Sequence, residues 1–297
     1  MHPQRRGVMF VLASGASFGL LPLFARTAHD HGTGPLTFLL VRFTLAAVGL
    51  FVIRAVTGRS GALPRGRLMW QLLGLGALGY AVQSSFYFYG VTRIDVSLAT
   101  VIFYSYPVLV VLASWAVFRH APTRTMTVSL FVVVAGTLLT AGQVGSGSAS
   151  GTLLMFAASA WYVGYILVAS RITRHAGSVT SLALVMVGAA IGHAALWPFH
   201  RQPFPHDTVG WLAIAGAAVV STIVAMGFFF EGVSLLRPGT AAVLSTAEPV
   251  VSIGVGVVAY RESISPVRGI GAALVLVGVV LLSRERTDQD GESTGFS

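Results

Sequence analysis

Residues 228–250 read FFFEGVSLLRPGTAAVLSTAEPV, and residues 86–108 read FYFYGVTRIDVSLATVIFYSYPV. The two stretches overlay without a gap at an offset of 142 residues, Gly90 meeting Gly232 and Pro107 meeting Pro249. Phe86, Phe88, Val91, Ala99 and Val108 find Phe228, Phe230, Val233, Ala241 and Val250 at the same offset. Apolar segments draw on few residue types, so a shared valine means little. A glycine and a proline kept in register mean more, because backbone geometry places them. The same offset carries Arg119 to Arg261 and Gly136 to Gly278. The chain is therefore read as an internal duplication.

The duplicated unit belongs in a membrane. Of 297 residues, 55% are hydrophobic and 10% are charged, where a soluble domain carries about 25% charge. The mean hydropathy is +0.78. Apolar runs of about 20 residues, the length that crosses a bilayer, fall at 8–26, 35–56, 68–90, 96–118, 125–142, 150–170, 178–198, 208–230, 240–259 and 266–283. Turn-rich joints separate them, among them HDHGTGP (29–35), TGRSGALPRGR (57–67), QVGSGSASG (143–151) and HRQPFPHD (200–207). The expected fold is an all-α integral membrane protein of ten transmembrane helices. Residues 1–142 form a first five-helix repeat, 143–151 a linker loop, 152–283 a second five-helix repeat and 284–297 a disordered cytoplasmic tail. Five is odd, so the second half enters the membrane from the opposite side. Two inverted-topology repeats can expose one midplane site to either face by rocking, which is alternating access.

All 19 basic residues are arginine, a bias that points to a GC-rich bacterial genome. Thirteen lie in segments on the face of the N-terminus. Five lie on the other face (Arg26, Arg93, Arg201, Arg261, Arg268), and Arg42 alone sits inside a span. The positive-inside rule then puts both termini in the cytoplasm of a multi-pass protein of the bacterial inner (plasma) membrane. The first helix is read as retained, with no convincing cleavage site. The net charge of +9 is accounted for by span-end arginines meeting anionic lipid, not by nucleic acid.

The absence of cysteine excludes disulfides and thiolate metal sites. There is no HExxH, no Cys/His cluster and no Ser-His-Asp arrangement. GLGALG (74–79) is a glycine-rich stretch within a span, not a strand-to-helix turn. No enzyme, metal or cofactor is expected. The expected partners are a small-molecule substrate and the lipid bilayer, with the chain a monomer or homodimer. Gly254, Gly256, Gly269 and Gly271 permit close helix approach.

Over about residues 8–283 the sequence resembles the ten-helix EamA branch of the drug/metabolite transporter superfamily. The resemblance is carried by the two homologous halves, ASGASFGLLPLFAR (13–26), LLVRF (39–43) with Arg42, and the proline-bearing fourth and ninth spans. EPVVSIGVGVVAYRES (248–263) is the nearest match, with Glu262 in the place of the family's usual glutamate. The first half departs there, WAVFRHAPT (115–123) having His120. The resemblance implies a secondary transporter exporting amino acids or other small metabolites, some members exporting aromatic amino acids. It also implies a site lined by spans 1, 3, 4, 6, 8 and 9. The first span lacks the membrane-embedded glutamate of the small multidrug branch, which counts against a multidrug antiporter. Organic cation or drug export remains an alternative, as does a facilitator or importer.

Candidate site residues start with Glu248. A charge near the bilayer midplane costs at least about 2.5–3.5 kcal/mol, so it must face a polar cavity, pair or stay protonated. Pro249 has no N–H, so the Ser245 carbonyl loses its helical partner, which membranes tolerate where backbone lines a cavity. Ser245, Glu248 and Ser252 share one helical stripe, which Ala241 extends. Duplication sets Ala99, Phe103, Tyr106 and Val110 opposite. Tyr80, Gln83 and Tyr87 form a stripe on the third span; Trp161 and Tyr165 are one turn apart on the sixth, with Tyr162 beside them. Pro107 and Pro249 are the candidate hinges. Arg42 is a candidate counter-charge for a substrate carboxylate, a gate partner or an interface anchor. His193 is expected to be a packed imidazole.

Overall fold

The computed structural model describes residues 3–56, 63–91, 93–94, 102–103, 105–119, 121–141, 148–172, 178–236, 238–245, 247–260 and 266–293. Among them the regular structure is helical. The expected residues Ala99, His120 and Glu262 lie outside the described set.

Ten spans follow in order. The first is Pro3–Gly19 and Leu21–Asp30, the second Pro35–Val56, and the third runs from Arg67 to Val91. The fourth is described from Tyr106 to Phe118; the fifth is Arg124–Ala141. The sixth is Ala149–Ile172, the seventh Ser178–Leu196 and the eighth runs from Thr208 to Leu235. The ninth is in two pieces, Pro238–Ser245 and Glu248–Tyr260, and the tenth is Pro266–Ser293. Gln4–Asp30, Pro35–Val56, Ala149–Ile172, Val179–Phe199 and Thr208–Leu235 are each long and apolar enough to cross a membrane unaided. Large apolar side chains such as Leu78, Phe131, Leu153 and Leu212 face outward, as suits a protein whose solvent is lipid.

Three departures from regular helix shape the interior. The first span breaks at Leu20, just before Pro22. The third and eighth spans each contain a π-helical segment, Leu75–Tyr80 and Val219–Val224. The ninth is interrupted ahead of Pro249. At the other end of the chain, residues expected to be a disordered tail continue the tenth helix as far as Ser293. Arginine, glutamate and glutamine all have good helix propensity, and a helix already under way extends without a new nucleation step.

Span 1 packs on span 8, and span 3 on span 6. Spans 2 and 7, 4 and 9, and 5 and 10 pair with each other. A pseudo-twofold that exchanges the halves turns the first pair into the second and maps each of the others onto itself. The contact between spans 5 and 10 shows this at atomic level. A Cβ on Gly136 would stand 2.6 Å from the Gly271 oxygen and 2.8 Å from the Val275 nitrogen. A Cβ on Gly278 would stand 3.0 Å from the Ser129 oxygen and 3.3 Å from the Val133 nitrogen. These four backbone atoms correspond through the offset that links the glycines themselves. Glycine is required on both sides because backbone meets backbone.

Gly136→Ala therefore forces spans 5 and 10 apart, and overpacking of this kind costs about 1–3 kcal/mol. The thermal midpoint of the detergent-solubilised protein should fall in Gly136→Ala and Gly278→Ala. It should hold in Gly164→Ala, where an added Cβ meets nothing within 4 Å.

Candidate functional site

The site forms where spans 4 and 9 are interrupted. In span 9 the first piece ends at Ser245, and the Ala247 N–H turns back to the Leu244 carbonyl at 3.2 Å. In span 4 the Ser105 N–H turns back to the Ile102 carbonyl, also at 3.2 Å. The donors and acceptors correspond through the 142-residue offset, so each half makes the same turn. The following helix starts at Tyr106 in one half and at Glu248 in the other, each with proline in its second position. A proline there sacrifices no N–H that the helix would use. Glu248 lies in the first turn of its helix, where the dipole favours a carboxylate. Span 1 is pressed against this point. A Cβ on Gly19 would lie 2.6 Å from Val251 Cβ and 2.9 Å from the Glu248 backbone carbonyl oxygen.

A continuous group of rings lies beside the break of span 9. Phe103 is 4.9 Å from Tyr87, 5.5 Å from Tyr106 and 5.8 Å from Tyr162, centroid to centroid. Tyr106 and Tyr162 meet edge to face at 4.9 Å. Tyr162 and Tyr165 are 5.9 Å apart and nearly parallel, and Tyr165 is 5.4 Å from Tyr80. Glu248 interacts electrostatically with Tyr80, Tyr87, Tyr106, Tyr162 and Arg42. The Tyr106 hydroxyl pairs with Ser245, whose own hydroxyl donates to the Ala241 carbonyl at 2.8 Å. Spans 3, 4, 6 and 9 thus supply the group.

Arg42 is 2% exposed. Its Nε donates to Thr222 Oγ1 at 2.6 Å and Nη2 to the Ser221 carbonyl at 2.8 Å, both in the π segment of span 8. The guanidinium also lies against Tyr80, the last residue of the π segment of span 3. One side chain of span 2 therefore ties together the π segments of both halves. Such segments free carbonyls from the usual ladder, and π-bulges cluster at functional sites. Thr222 Oγ1 in turn donates to the Ala217 carbonyl at 2.9 Å. The sequence reading missed these segments. Their one visible sign was GLGALG, where Gly76 packs directly on the Val185 backbone of span 7.

Most expected residues converge here: Glu248, Ser245, Phe103, Tyr106, Tyr80, Tyr87 and Tyr165. Gln83 is buried on the third span. Ser252 turns to span 1, its hydroxyl donating to the Gly19 carbonyl at 3.2 Å. Trp161 is not brought to the rings. It is 45% exposed, and its indole N–H donates to the Leu78 carbonyl of the π segment at 2.8 Å. Tyr162, its neighbour, takes the place in the cluster. His193 packs beside Phe43 and donates from Nδ1 to the Ala189 carbonyl at 2.9 Å.

Away from the rings, residues 31–37 and 197–207 are clasped together. Gln202 Oε1 accepts from the Leu36 N–H at 2.7 Å. His31 Nδ1 lies 2.6 Å from Asp207 Oδ2. Asp207 caps the eighth span by accepting from the Gly210 N–H at 3.0 Å. That bond, and then His31, hold its carboxyl below the ordinary value of 3.8.

The profile of the EamA-like transporter family matches residues 5–142 and again residues 149–284. The chain is 23% identical over 290 residues to "Uncharacterized transporter YwfM" of Bacillus subtilis, covering 93% of each. It is 26% identical over 285 residues to an "Uncharacterized transporter" of Archaeoglobus fulgidus, covering 95% of this chain and 98% of that one. It is 23% identical over 279 residues to "Protein LicB" of Haemophilus influenzae, covering 92% and 93%. A solved crystal structure superposes over 94% of this chain and 98% of that chain with a TM-score of 0.82 at 20% identity, a likeness of fold.

Two outcomes follow from this geometry. Arg42→Lys replaces a planar fork by a point charge and leaves the Ser221 carbonyl or Thr222 without a donor, at about 1–3 kcal/mol; the thermal midpoint in detergent should drop. A carboxyl depressed in the folded state stabilises above its unfolded value and loses that contribution as pH falls through its folded value. The thermal midpoint of the wild type should accordingly fall as pH drops below about 4, and Asp207→Asn should flatten that part of the curve.

Proposed function

The chain belongs to the EamA-like transporter family and is a small-molecule membrane transporter, and from that premise we propose that it exports amino acids, aromatic ones foremost, across the bacterial inner membrane by alternating access. One observation carries the reading: a single carboxylate, Glu248, set at the break of span 9 among the rings of Tyr80, Tyr87, Tyr106 and Tyr162. The ammonium group of an amino acid is the cation such a place receives. The carboxylate supplies the opposite charge, and electron-rich ring faces add about 0.5–1 kcal/mol each when wet and about 2 when desolvated. An aromatic substrate ring adds offset or edge contacts of about 0.5–1.5 kcal/mol per pair.

The substrate carboxylate needs a donor. Arg42 has Nε and Nη2 engaged with span 8, so we assign it to holding the π segments and assign Gln83 to the carboxylate. Rocking of the two halves moves the site from one face to the other. Pro107 and Pro249 allow it, since the helices that bear the site begin beside them and no hydrogen-bond ladder runs unbroken through those points. Ser252 and Ser245 keep the broken ends bonded inside the protein. The arginine asymmetry supports cytoplasmic termini, and the family resemblance supports export. The engagement of Arg42 favours a second reading, an organic cation without a carboxylate, which Glu248 and the rings would hold by themselves.

The test is uptake by proteoliposomes of a labelled panel of amino acids and organic cations, with and without an imposed pH gradient. Saturable aromatic amino-acid flux is expected, falling at least about tenfold in Glu248→Gln, the equivalent of about 1.4 kcal/mol of binding. Flux driven by the gradient assigns proton coupling; flux indifferent to it assigns exchange or uniport. Cation flux alone selects the second reading, and flux of neither class overturns both.

A further inference from the structure

The tyrosines that form this cluster dispose of their hydroxyls differently. Tyr106 pairs with Ser245 and Tyr80 lies against Arg42. Tyr165 does neither. It is 3% exposed, and its buried hydroxyl has no hydrogen-bond partner among the described residues. The hydroxyls of Ser114, Ser129 and Thr33 share that condition. A serine in a helix can rotate to bond a carbonyl one turn back, and Thr33 lies in the loop between the first and second spans. A tyrosine hydroxyl stands at the far end of a rigid ring and cannot. A buried donor left unpaired is unfavourable enough that native proteins seldom keep one without a use for it.

Its position gives that use. The Tyr165 ring is part of the cluster wall, 5.4 Å from Tyr80 and 5.9 Å from Tyr162. Its hydroxyl interacts electrostatically with Tyr80. Glu248 acts on Tyr80, Tyr87, Tyr106 and Tyr162, and the Tyr165 ring lies on the far side of Tyr162 from Tyr106, whose hydroxyl pairs with Ser245 at the break of span 9. The cluster is therefore bipolar: a carboxylate at one end, an unpaired hydroxyl at the other, and aromatic faces between. A molecule matched to it carries an ammonium group, then an aromatic body, then a polar atom on the ring.

We propose that Tyr165 is a specificity-determining residue that hydrogen-bonds a ring hydroxyl of the substrate, so that phenolic amines and amino acids are preferred to their unsubstituted counterparts. The proposal rests on the reading of Glu248 as receptor for the ammonium group. A site whose buried polar group is left unpaired by the wrong substrate discriminates far more strongly than a merely greasy one.

Two substrate pairs test it in proteoliposomes: tyrosine with phenylalanine, and tyramine with phenethylamine. The wild type should carry the phenolic member with Vmax/KM at least about tenfold higher, by the logic of an unmet hydrogen bond. Tyr165→Phe should bring the ratio close to one by lowering the phenolic flux and sparing the other. The substrate-free variant should also melt at a higher temperature than the wild type, because the orphaned hydroxyl is gone. That shift separates a used hydroxyl from one satisfied within the fold. A ratio unchanged by Tyr165→Phe, with either pair carried and Glu248→Gln inactive on both members, overturns the Tyr165 assignment alone. If neither pair is carried by the folded wild type, the Glu248 reading fails and takes this one with it.

Discussion

Hydrocarbon offers nothing to a free carbonyl, so every irregularity in a membrane span has to be met by another group of the same protein. Most of the structure's central contacts are answers to that demand. The Ser221 carbonyl takes a donor from Arg42 and the Ala217 carbonyl takes one from Thr222. Trp161 serves Leu78, and Ser252 serves Gly19. Ser221 donates its own hydroxyl to the Ser17 carbonyl at 2.8 Å. These acceptors all lie in or beside the break of span 1 or the two π segments. The polar side chains of the interior are thus spent on backbone first. Tyr165 stands out as a side chain that backbone repair does not explain.

The duplication is formally symmetric, yet its two copies of the break differ where it matters. The residue that starts the helix after the turn is Tyr106 in one half and Glu248 in the other. One repeat contributes a ring and its twin a charge, from equivalent backbone positions. A site on a symmetry axis would otherwise present the same chemistry twice, which suits no polarised molecule. The difference falls on one residue of each copy and leaves the paired backbone turns alike.

Much of this was legible in the amino-acid sequence. Span number follows from apolar length, and the repeat from a glycine and a proline kept in register. Glu248 and Pro249 announced themselves by being expensive in a bilayer. What was hidden is hidden for physical reasons. A π turn adds one residue to a hydrogen-bonded ring without any side-chain type demanding it, so Leu75–Tyr80 and Val219–Val224 left little trace. The face that span 6 shows its neighbours cannot be read from spacing when three aromatic residues lie within five positions. Hence Tyr162, not Trp161, joined the rings. Arg42 was recognised as out of place, but its partners are about 180 residues away, beyond any local pattern.

The reciprocal glycine seam between spans 5 and 10 has a meaning outside the working of this one chain. Each half presents the same strip, residues 129–136 or their counterparts 271–278, to the other. Contact of a patch with its own copy about a twofold axis is the isologous interface of a homodimer. The seam is what two identical five-span chains would make if one were inserted upside down in the same bilayer. The covalent linkage around residues 142–149 fixes the stoichiometry and orientation that such a pair would otherwise have to find by chance.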